Sequence, residues 1–183
     1  MSPEAEMMAA IAAGDQNAYA DAVKRYLRLI SSYCLRMTGN RGEAEDLTQE
    51  TFLKLWTHAH SWKPELASVS TWLHRIAHNL CIDFMRRDKS SSKEELNENI
   101  PDDFDTAAEL DRQALIARLH QALNQLPERQ RSALVLNQFQ GLSNRDVAAV
   151  MDISVEAVES VLARARRTLK QKLHDPDPLK ELA

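Results

Sequence analysis

The sequence predicts an all-α protein that consists of two small helical domains joined by a flexible acidic linker. Glycine (4) and proline (6) are scarce among the 183 residues, and no run of β-branched and aromatic residues alternates over the length of a strand. Apolar residues recur at three- and four-residue spacing in two blocks, 1–88 and 108–175, and a polar stretch at 89–107 separates them. A chain of this length can form two small hydrophobic cores.

Charge separates the same three segments. The net charge of −4 is an average, because residues 1–87 carry ten basic and ten acidic side chains, whereas residues 88–111 carry two basic and nine acidic ones, a net −7. Residues 112–183 carry eleven basic and eight acidic side chains, a net +3. The acidic segment DKSSSKEELNENIPDDFD is nearly free of apolar residues, which predicts a linker with little structure of its own.

The N-terminal block predicts four helices that turn-forming residues separate. Gly14 and Asp15 end the first helix, and the Asp15 carboxylate can cap the second. The segment Gly39 to Gly42 predicts a turn, and Pro64 disfavours helix at the residue before it, so a loop is expected up to Ser70. The predicted helices span residues 5–13, 16–38, 43–58 and 71–87.

The C-terminal block predicts four more helices, and its last two have the pattern of a helix-turn-helix. Ser143 and Asp146 form a capping box, Asp152 lies in a tight turn, and Ser154 caps the final helix. Small Ala148 lets the two helices approach closely. The predicted helices are 108–125, 130–140, 143–151 and 155–172, and the last one buries Val158, Leu162, Ala165 and Leu169 in one stripe.

The outer faces of this helix-turn-helix are polar and partly basic. Basic side chains there can meet phosphates, and residues near the start of the second helix can reach base edges in the major groove. An ordinary helical hairpin with a solvated basic face is the alternative. The candidate contacts to duplex DNA are Ser143, Arg145, Ser154, Glu156, Glu159, Ser160, Arg164, Arg166 and Arg167.

The predicted helix 43–58 carries acid and amide groups on one side. Asp46, Gln49, Glu50 and Leu53 fall at helical spacing, while Leu47 and its apolar neighbours face inward. Such a face suits docking on a basic protein surface. A solvated helix face explains the same residues equally well, so both interpretations stay open.

The loop 62–70 and the helix after it combine aromatic rings, amides, hydroxyls and basic groups. This combination suits single-stranded nucleic acid, because bases stack or insert while Arg and Lys follow the backbone. The alternative is a polar helix face with Trp62 and Trp72 in the core, and Trp72 is expected to serve mainly in packing. The candidates are Trp62, Lys63, Ser68, Ser70, Thr71, His74, Arg75, His78, Asn79, Asp83, Arg86 and Arg87.

Nothing in the sequence calls for catalysis. It has no Gly-rich phosphate loop, no Ser/His/Asp set and no paired carboxylates in an apolar context, and His74 and His78 lack a third metal ligand. We therefore expect a protein that is not an enzyme, without metal, cofactor or small-molecule substrate. Cys34 and Cys81 predict buried free thiols. The absence of a signal peptide and of a long apolar run predicts a soluble, cytoplasmic protein.

Three segments together resemble the extracytoplasmic-function (ECF) group of bacterial sigma factors. They are AEDLTQETFLKLW (44–56), STWLHRIAHNLCIDFMRR (70–87) and the run from Leu123 to Leu173. The motifs D-x-x-Q-E-x-F, T-W-L-x-R-I-A-x-N and L-P-x-x-x-R occur in this order before a terminal helix-turn-helix, a specific combination. The resemblance covers about residues 16–173.

The resemblance implies an alternative sigma factor that directs core RNA polymerase to a subset of promoters and promotes melting of the −10 region. Asp46, Gln49, Glu50, Phe52 and Leu53 would bind the clamp helices of the largest polymerase subunit. The candidates in 62–87 would hold unpaired bases of the −10 element, and the helix-turn-helix would read the −35 element. The linker would thread toward the RNA exit path. An anti-sigma factor, possibly membrane-anchored, is the further partner that the resemblance implies.

Some positions depart from the family pattern. Glu159 and Val161 stand where recognition helices of the family often carry basic residues, so the −35 preference is expected to differ; Glu159 can accept a hydrogen bond from cytosine N4. The loop also lacks the usual F-R-G start. A conventional helix-turn-helix regulator that acts on duplex DNA without polymerase is the main alternative, but it leaves the segment 44–87 unexplained. A protein-interaction adaptor with a decayed DNA-binding domain is a second alternative, and it predicts no affinity for DNA.

Overall fold

The computed structural model describes residues 2–88 and 107–173, with side chains described from residue 111 onward in the second range. Every regular element in these ranges is helical, which confirms the predicted all-α class. The predicted linker, apart from residue 107, and the tail 174–183 lie outside the described residues. The helices are α1 (Pro3–Ala12), α2 (Gln16–Thr38), α3 (Arg41–His58), α4 (Val69–Asp88), α5 (Ala107–Asn124), α6 (Glu128–Leu134), α7 (Asn144–Met151) and α8 (Val155–Leu173).

Helices α1 to α4 form an N-terminal bundle in which α2, α3 and α4 each pack against the other two. The Asp15 carboxylate accepts the backbone N–H groups of Asn17 (2.8 Å) and Ala18 (3.1 Å), so it caps α2 as predicted. Cys34 and Cys81 are free and buried in the core, also as predicted. Among the described residues, no helix is long and apolar enough to cross a membrane.

Three helices of this bundle, α1, α3 and α4, begin two residues before the predicted position, because polar residues cap them. Ser2 Oγ accepts the N–H of Ala5 at 3.2 Å, so α1 begins at Pro3. Asn40 Oδ1 accepts the N–H of Glu43 at 3.0 Å, so α3 begins at Arg41. Ser68 Oγ accepts the N–H of Thr71 at 3.1 Å, which lets α4 begin at Val69. The expectation of a loop up to Ser70 was therefore wrong at its end.

Helices α5 to α8 form the C-terminal half, and its helix-turn-helix is built as predicted. Ser143 Oγ accepts the N–H of Asp146 (3.1 Å), and Ser154 Oγ accepts that of Ala157 (3.1 Å). Asp152 ends α7 in the left-handed conformation, φ 55°. The predicted helix 130–140 is instead α6 followed by a π-helical turn, Val135–Phe139. The predicted stripe of Val158, Leu162, Ala165 and Leu169 is buried.

The two halves also pack against each other, which no local pattern in the sequence predicts. Helix α4 lies against α7, and α2 lies against α5 and the π-helical turn. The contact joins residues far apart in the chain, such as Arg131 Nη1, which donates to the Met37 carbonyl at 2.6 Å. The described residues therefore form one packed body.

Candidate nucleic-acid interface

The acidic side of α3 is exposed as a continuous stripe. Asp46, Gln49, Glu50 and Leu53 all face solvent, and Leu53 is 59% exposed although it is apolar. Asp46 and Glu50 form no ion pair with another described residue. A negative face with an exposed leucine at its end is suited to a basic partner surface that has an apolar contact point.

Phe52 holds this stripe in place rather than belonging to it. Its ring is buried in the core, and its backbone carbonyl accepts the hydroxyl of Tyr19 at 3.2 Å. The side chain is therefore not available to a partner as the structure stands, and its part is to anchor α3 beneath the acidic stripe.

The loop between α3 and α4 is closed by its own tryptophan. Trp62 Nε1 donates to the Ala67 carbonyl at 3.1 Å, and the N–H of Leu66 donates to the Lys63 carbonyl at 3.1 Å. Trp62 is itself buried, so it forms the frame of the loop and is not free to stack on a base. The predicted candidates Lys63 and Ser68 are exposed on this frame.

The tip of the same loop carries a residue that the sequence reasoning missed. Leu66 is 76% exposed, the highest value among the large apolar side chains of the described residues. An apolar side chain makes no hydrogen bond with water, and the hydrogen bonds of the loop hold Leu66 in this exposed position. The signal in the sequence was an isolated leucine between Glu65 and Ala67 inside a predicted polar loop.

The outer face of α4 gathers five of the predicted contacts to single-stranded nucleic acid. The first three lie four residues apart, and the last two lie three and four residues after the third, so the five form one exposed stripe of amide, acidic and guanidinium groups along the helix. Its C-terminal end is positive, where cations also complement the helix dipole. The members are Arg75, Asn79, Asp83, Arg86 and Arg87.

Three other predicted contacts on this segment point inward or against the C-terminal half. Thr71 is buried and its hydroxyl donates to Asp146 Oδ1 at 3.3 Å. His78 is buried with Nδ1 3.0 Å from the Tyr33 hydroxyl, and burial lowers the pKa of His78 to about 4. Ser70, half-buried, accepts at its carbonyl from Nδ1 of the buried His74 at 2.7 Å. The interpretation of His78 as a direct contact to DNA is not supported by this geometry, because its ring is neutral and enclosed.

The helix-turn-helix presents its predicted contacts without exception. All nine are exposed, on the start of α7 and on the two free faces of α8. Glu156, Glu159 and Ser160 occupy the first half of α8, whereas Arg164, Arg166 and Arg167 occupy the second half. Val161, at one of the departures from the family pattern, is buried and packs in the core, so a basic residue there could not be solvated without a change in packing.

The described residues contain no group of three or more His, Cys, Asp or Glu side chains that could hold a metal ion. The candidate surfaces are instead arrays of exposed hydrogen-bonding and charged groups. Such arrays bind macromolecules, and none of them encloses a reacting atom.

Comparison with known proteins gives the same division of the chain. The family model of sigma-70 region 2 matches residues 22–91, and that of sigma-70 region 4 matches residues 116–169. The ECF RNA polymerase sigma factor SigW of Bacillus subtilis is 32% identical over 178 residues, which span 88% of this chain and 92% of SigW.

Two solved structures share the fold at 26% sequence identity. One is CnrH in complex with the cytosolic domain of CnrY, with a TM-score of 0.73 over 94% of this chain and 98% of that chain. The other is the sigma factor RpoE of Bartonella quintana in complex with the anti-sigma factor NepR, with a TM-score of 0.68 over 85% of this chain and 98% of that chain.

Proposed function

The chain belongs to the ECF sigma factors, and we propose that it binds core RNA polymerase, directs it to a subset of promoters and promotes melting of their −10 regions. The observation that carries this proposal is the presence of two different reading surfaces on one chain. The α4 stripe suits unpaired bases and the helix-turn-helix suits duplex DNA. Residues 1–88 would form the first DNA-binding domain and residues 108–175 the second, with 89–107 as the connection.

The acidic stripe of α3 is the proposed docking face for core polymerase. Its two unpaired carboxylates attract a basic surface over a distance of about 8 Å in physiological salt, and exposed Leu53 adds an apolar contact after docking. The clamp helices of the largest polymerase subunit are the partner that the family membership suggests.

The −10 element is proposed to meet the α4 stripe and the loop tip. Asn79 can pair with the edge of an unstacked base, while Arg75 and Lys63 follow the phosphates. Leu66 supplies an apolar surface for a base that has left the duplex. No catalytic residue is needed, because these contacts offset an unstacking cost on the order of a few kcal/mol.

The −35 element is proposed to meet α8 in the major groove. Arg164 and Arg167 would contact phosphates, and Glu159, which precedes both and lies nearer the start of the helix, would reach the base edges. A glutamate accepts hydrogen bonds only, which favours the exposed N4 amino group of cytosine.

The regulatory partner is proposed to be an anti-sigma factor. This rests on the similar structure in which the sigma factor RpoE is bound to the anti-sigma factor NepR, and the similar CnrH is also bound to a second protein, the cytosolic domain of CnrY. We further propose that the protein works in the cytoplasm and catalyses no reaction of its own, since its surfaces bind and position other molecules.

Run-off transcription on a pool of random promoter sequences tests the proposal. Core polymerase with this protein is expected to yield discrete transcripts that core polymerase alone does not make. The double variant Asp46→Arg, Glu50→Arg serves as the matched control and should yield none. If the chain bound duplex DNA but never changed transcription by core polymerase, the simpler helix-turn-helix regulator would replace this proposal.

A further inference from the structure

Helix α1 lies outside the range 22–91 that the region 2 family model matches, yet it packs against the base of the loop proposed to read the −10 element. Its side chains Met8 and Ile11 are buried. The helix contacts α2, α3 and the 3₁₀ turn Ala59–Ser61, which directly precedes the loop. Packing therefore fixes the position of α1 relative to the start of the loop.

The Glu4 carboxylate of this helix joins α2 to the start of α4. Its Oε1 accepts the hydroxyl of Tyr26 on α2 at 3.1 Å, and its Oε2 accepts the N–H of Val69, the first residue of α4, at 3.4 Å. The first N–H groups of a helix have no partner within it, so a carboxylate from another helix stabilises this positive end. Ser68 Oγ accepts the N–H of Thr71 in the same turn, so a local cap and a distant one share the start of α4.

The Tyr26 hydroxyl is held as a donor to this carboxylate. The Tyr26 side chain is buried, and burial, together with the charge of Glu4 and the hydrogen bond to it, raises the pKa of Tyr26 to about 12. The hydroxyl therefore stays protonated at physiological pH. Because a hydrogen bond to a charged acceptor is stronger than one between neutral groups, this bond restricts the orientation of the carboxylate and leaves Oε2 for Val69.

The loop between these contacts is a closed ring that α1 supports at both ends. The backbone N–H of Trp62 donates to the Ala59 carbonyl at 3.2 Å, and Trp62 Nε1 donates across the loop to the Ala67 carbonyl at 3.1 Å. The 3₁₀ turn before the ring packs on α1, and Val69, two residues after Ala67, is bonded to Glu4 of α1. The ring bonds join the loop to itself and to the turn, so the position of its tip relative to α4 depends on the contacts at its two ends.

We propose that Glu4, oriented by Tyr26, is a positioning residue for −10 recognition: its contact with Val69 sets the place of the loop tip relative to α4, and thereby how strictly the chain selects unpaired bases. Glu4 itself does not touch DNA and acts through the loop. The contact stands on the geometry of this chain alone, whereas its effect on base selection rests on the proposed function, so the two are measured separately.

Hydrogen exchange of single amides, followed by NMR, tests the contact. Glu4→Ala is compared with Glu6→Ala, which removes the same charge from an exposed position in the same first turn of α1. The Val69 amide should exchange about tenfold faster in Glu4→Ala, as expected when a hydrogen bond to a charged group is lost. The Leu66 amide, which donates to Lys63 within the ring, should exchange equally in both variants.

Two results of this measurement would overturn the proposal. Equal exchange of the Val69 amide in the two variants would mean that the Glu4 carboxylate does not hold the start of α4. Faster exchange of both the Val69 and the Leu66 amides in Glu4→Ala would mean that Glu4 keeps the whole loop folded and does not position an intact ring.

Run-off transcription from a promoter pool randomised only in the −10 region measures the effect on base selection. The preference for the most used −10 sequence over the average one should fall several-fold in Glu4→Ala and stay unchanged in Glu6→Ala, because a less constrained tip accepts more bases equally well. Affinities for core polymerase and for −35 duplex should be the same in both variants, since neither change lies on α3 or α8. Equal −10 preferences in the two variants would overturn the positioning role.

A loss of stability is separated from positioning by a second pair of variants. If Glu4→Ala melts well below Glu6→Ala, Glu4→Met and Glu6→Met are carried through both measurements with the same expected results. Methionine matches glutamate in length and helix propensity but has no carboxylate oxygen to accept from Tyr26 or Val69. An unaltered chain that yields no transcripts with core polymerase would refute the proposed function and the positioning role with it, while exchange of the Val69 amide would still decide the contact.

Discussion

The two proposed DNA-reading surfaces differ in how freely they are exposed. Every predicted contact of the helix-turn-helix faces solvent, whereas Trp62, Thr71 and His78 of the 62–87 segment are buried. The difference follows from packing, because α8 is covered along one stripe while α4 lies between α2, α3 and α7. The helix-turn-helix, which we call the duplex reader, is therefore fully exposed to DNA. The segment 62–87, which we call the single-strand reader, is partly enclosed.

The largest effect is expected at the polymerase-docking face, on which the use of both readers depends. Asp46→Arg with Glu50→Arg should lower affinity for core polymerase at least about a hundredfold, because two attractive charges become repulsive. Co-purification with core polymerase measures it. Glu45→Arg is the control, since Glu45 is already paired with Arg41 at 3.1 Å. Undiminished co-purification of the double variant would remove this face from the proposal.

The enclosure of the single-strand reader is expected to make the stability of the N-terminal half depend on pH. The pKa of folded His78 is about 4, below the ordinary histidine value of 6.5 that we take for the unfolded chain. As the pH falls from about 6.5 to about 4, the unfolded chain binds a proton at this histidine and the folded chain does not, so the free energy of unfolding falls. The full loss is about 3 kcal/mol at about 1.4 kcal/mol per pKa unit.

Urea unfolding between pH 7 and pH 4 measures this loss. His78→Gln should reduce the pH dependence but not abolish it, because burial also lowers the pKa of His74. The groups that face His78 are Tyr33, Arg86 and Glu128, of which Glu128 opposes the shift. The control is His60→Gln at an exposed position, and a pH dependence as steep in His78→Gln as in the unaltered chain would contradict the assignment.

A moderate effect is expected for a variant that should impair only one of the two DNA-reading surfaces. Asn79→Ala should slow formation of the open complex about tenfold to a hundredfold, as for the loss of one hydrogen-bonded base contact of about 1–3 kcal/mol, and leave binding to −35 duplex unchanged. Permanganate footprinting of the melted region and gel-shift assays with duplex give the two values. An equal loss in both assays would mean that α4 and α8 do not read different forms of DNA.

The smallest effect is expected for single phosphate contacts of the duplex reader. Arg164→Ala should weaken binding to −35 duplex severalfold and lower the slope of log affinity against log salt by about one. Lys170→Ala, nearer the C-terminal end of α8, is the comparison variant for the end of this surface. A slope that Arg164→Ala leaves unaltered would place its guanidinium in solvent.

The sequence predicts the duplex reader well because its signals are local. The stripe from Val158 to Leu169 repeats with the period of a helix, and the caps Ser143 and Ser154 stand next to the residues they serve. The boundaries of α2 were predicted to the residue for the same reason, with Asp15 before the helix and Gly39 after it.

The contact between the halves could not be predicted in this way. His74 and Gln140 lie 66 residues apart, and Arg131 and Met37 lie 94 apart, so no periodicity connects them. Polar residues on α4 were assigned to DNA because their combination of hydroxyl, amide and basic groups suits single-stranded nucleic acid, and that assignment takes polar side chains to be exposed, as they usually are. That assumption does not predict a second packed face on a polar helix, whose polar groups form hydrogen bonds with side chains from the other half.

The hydrogen bond from the Trp62 indole to the Ala67 carbonyl fixes the backbone of the loop independently of the side chains at its tip. The residues between these two positions, among them Lys63 and Leu66, contribute little to holding the loop together through their side chains. They can therefore be replaced without dismantling the frame. Libraries randomised at these tip positions should yield chains that remain folded and differ in the promoters they select, which makes this small closed ring a natural site for diversification.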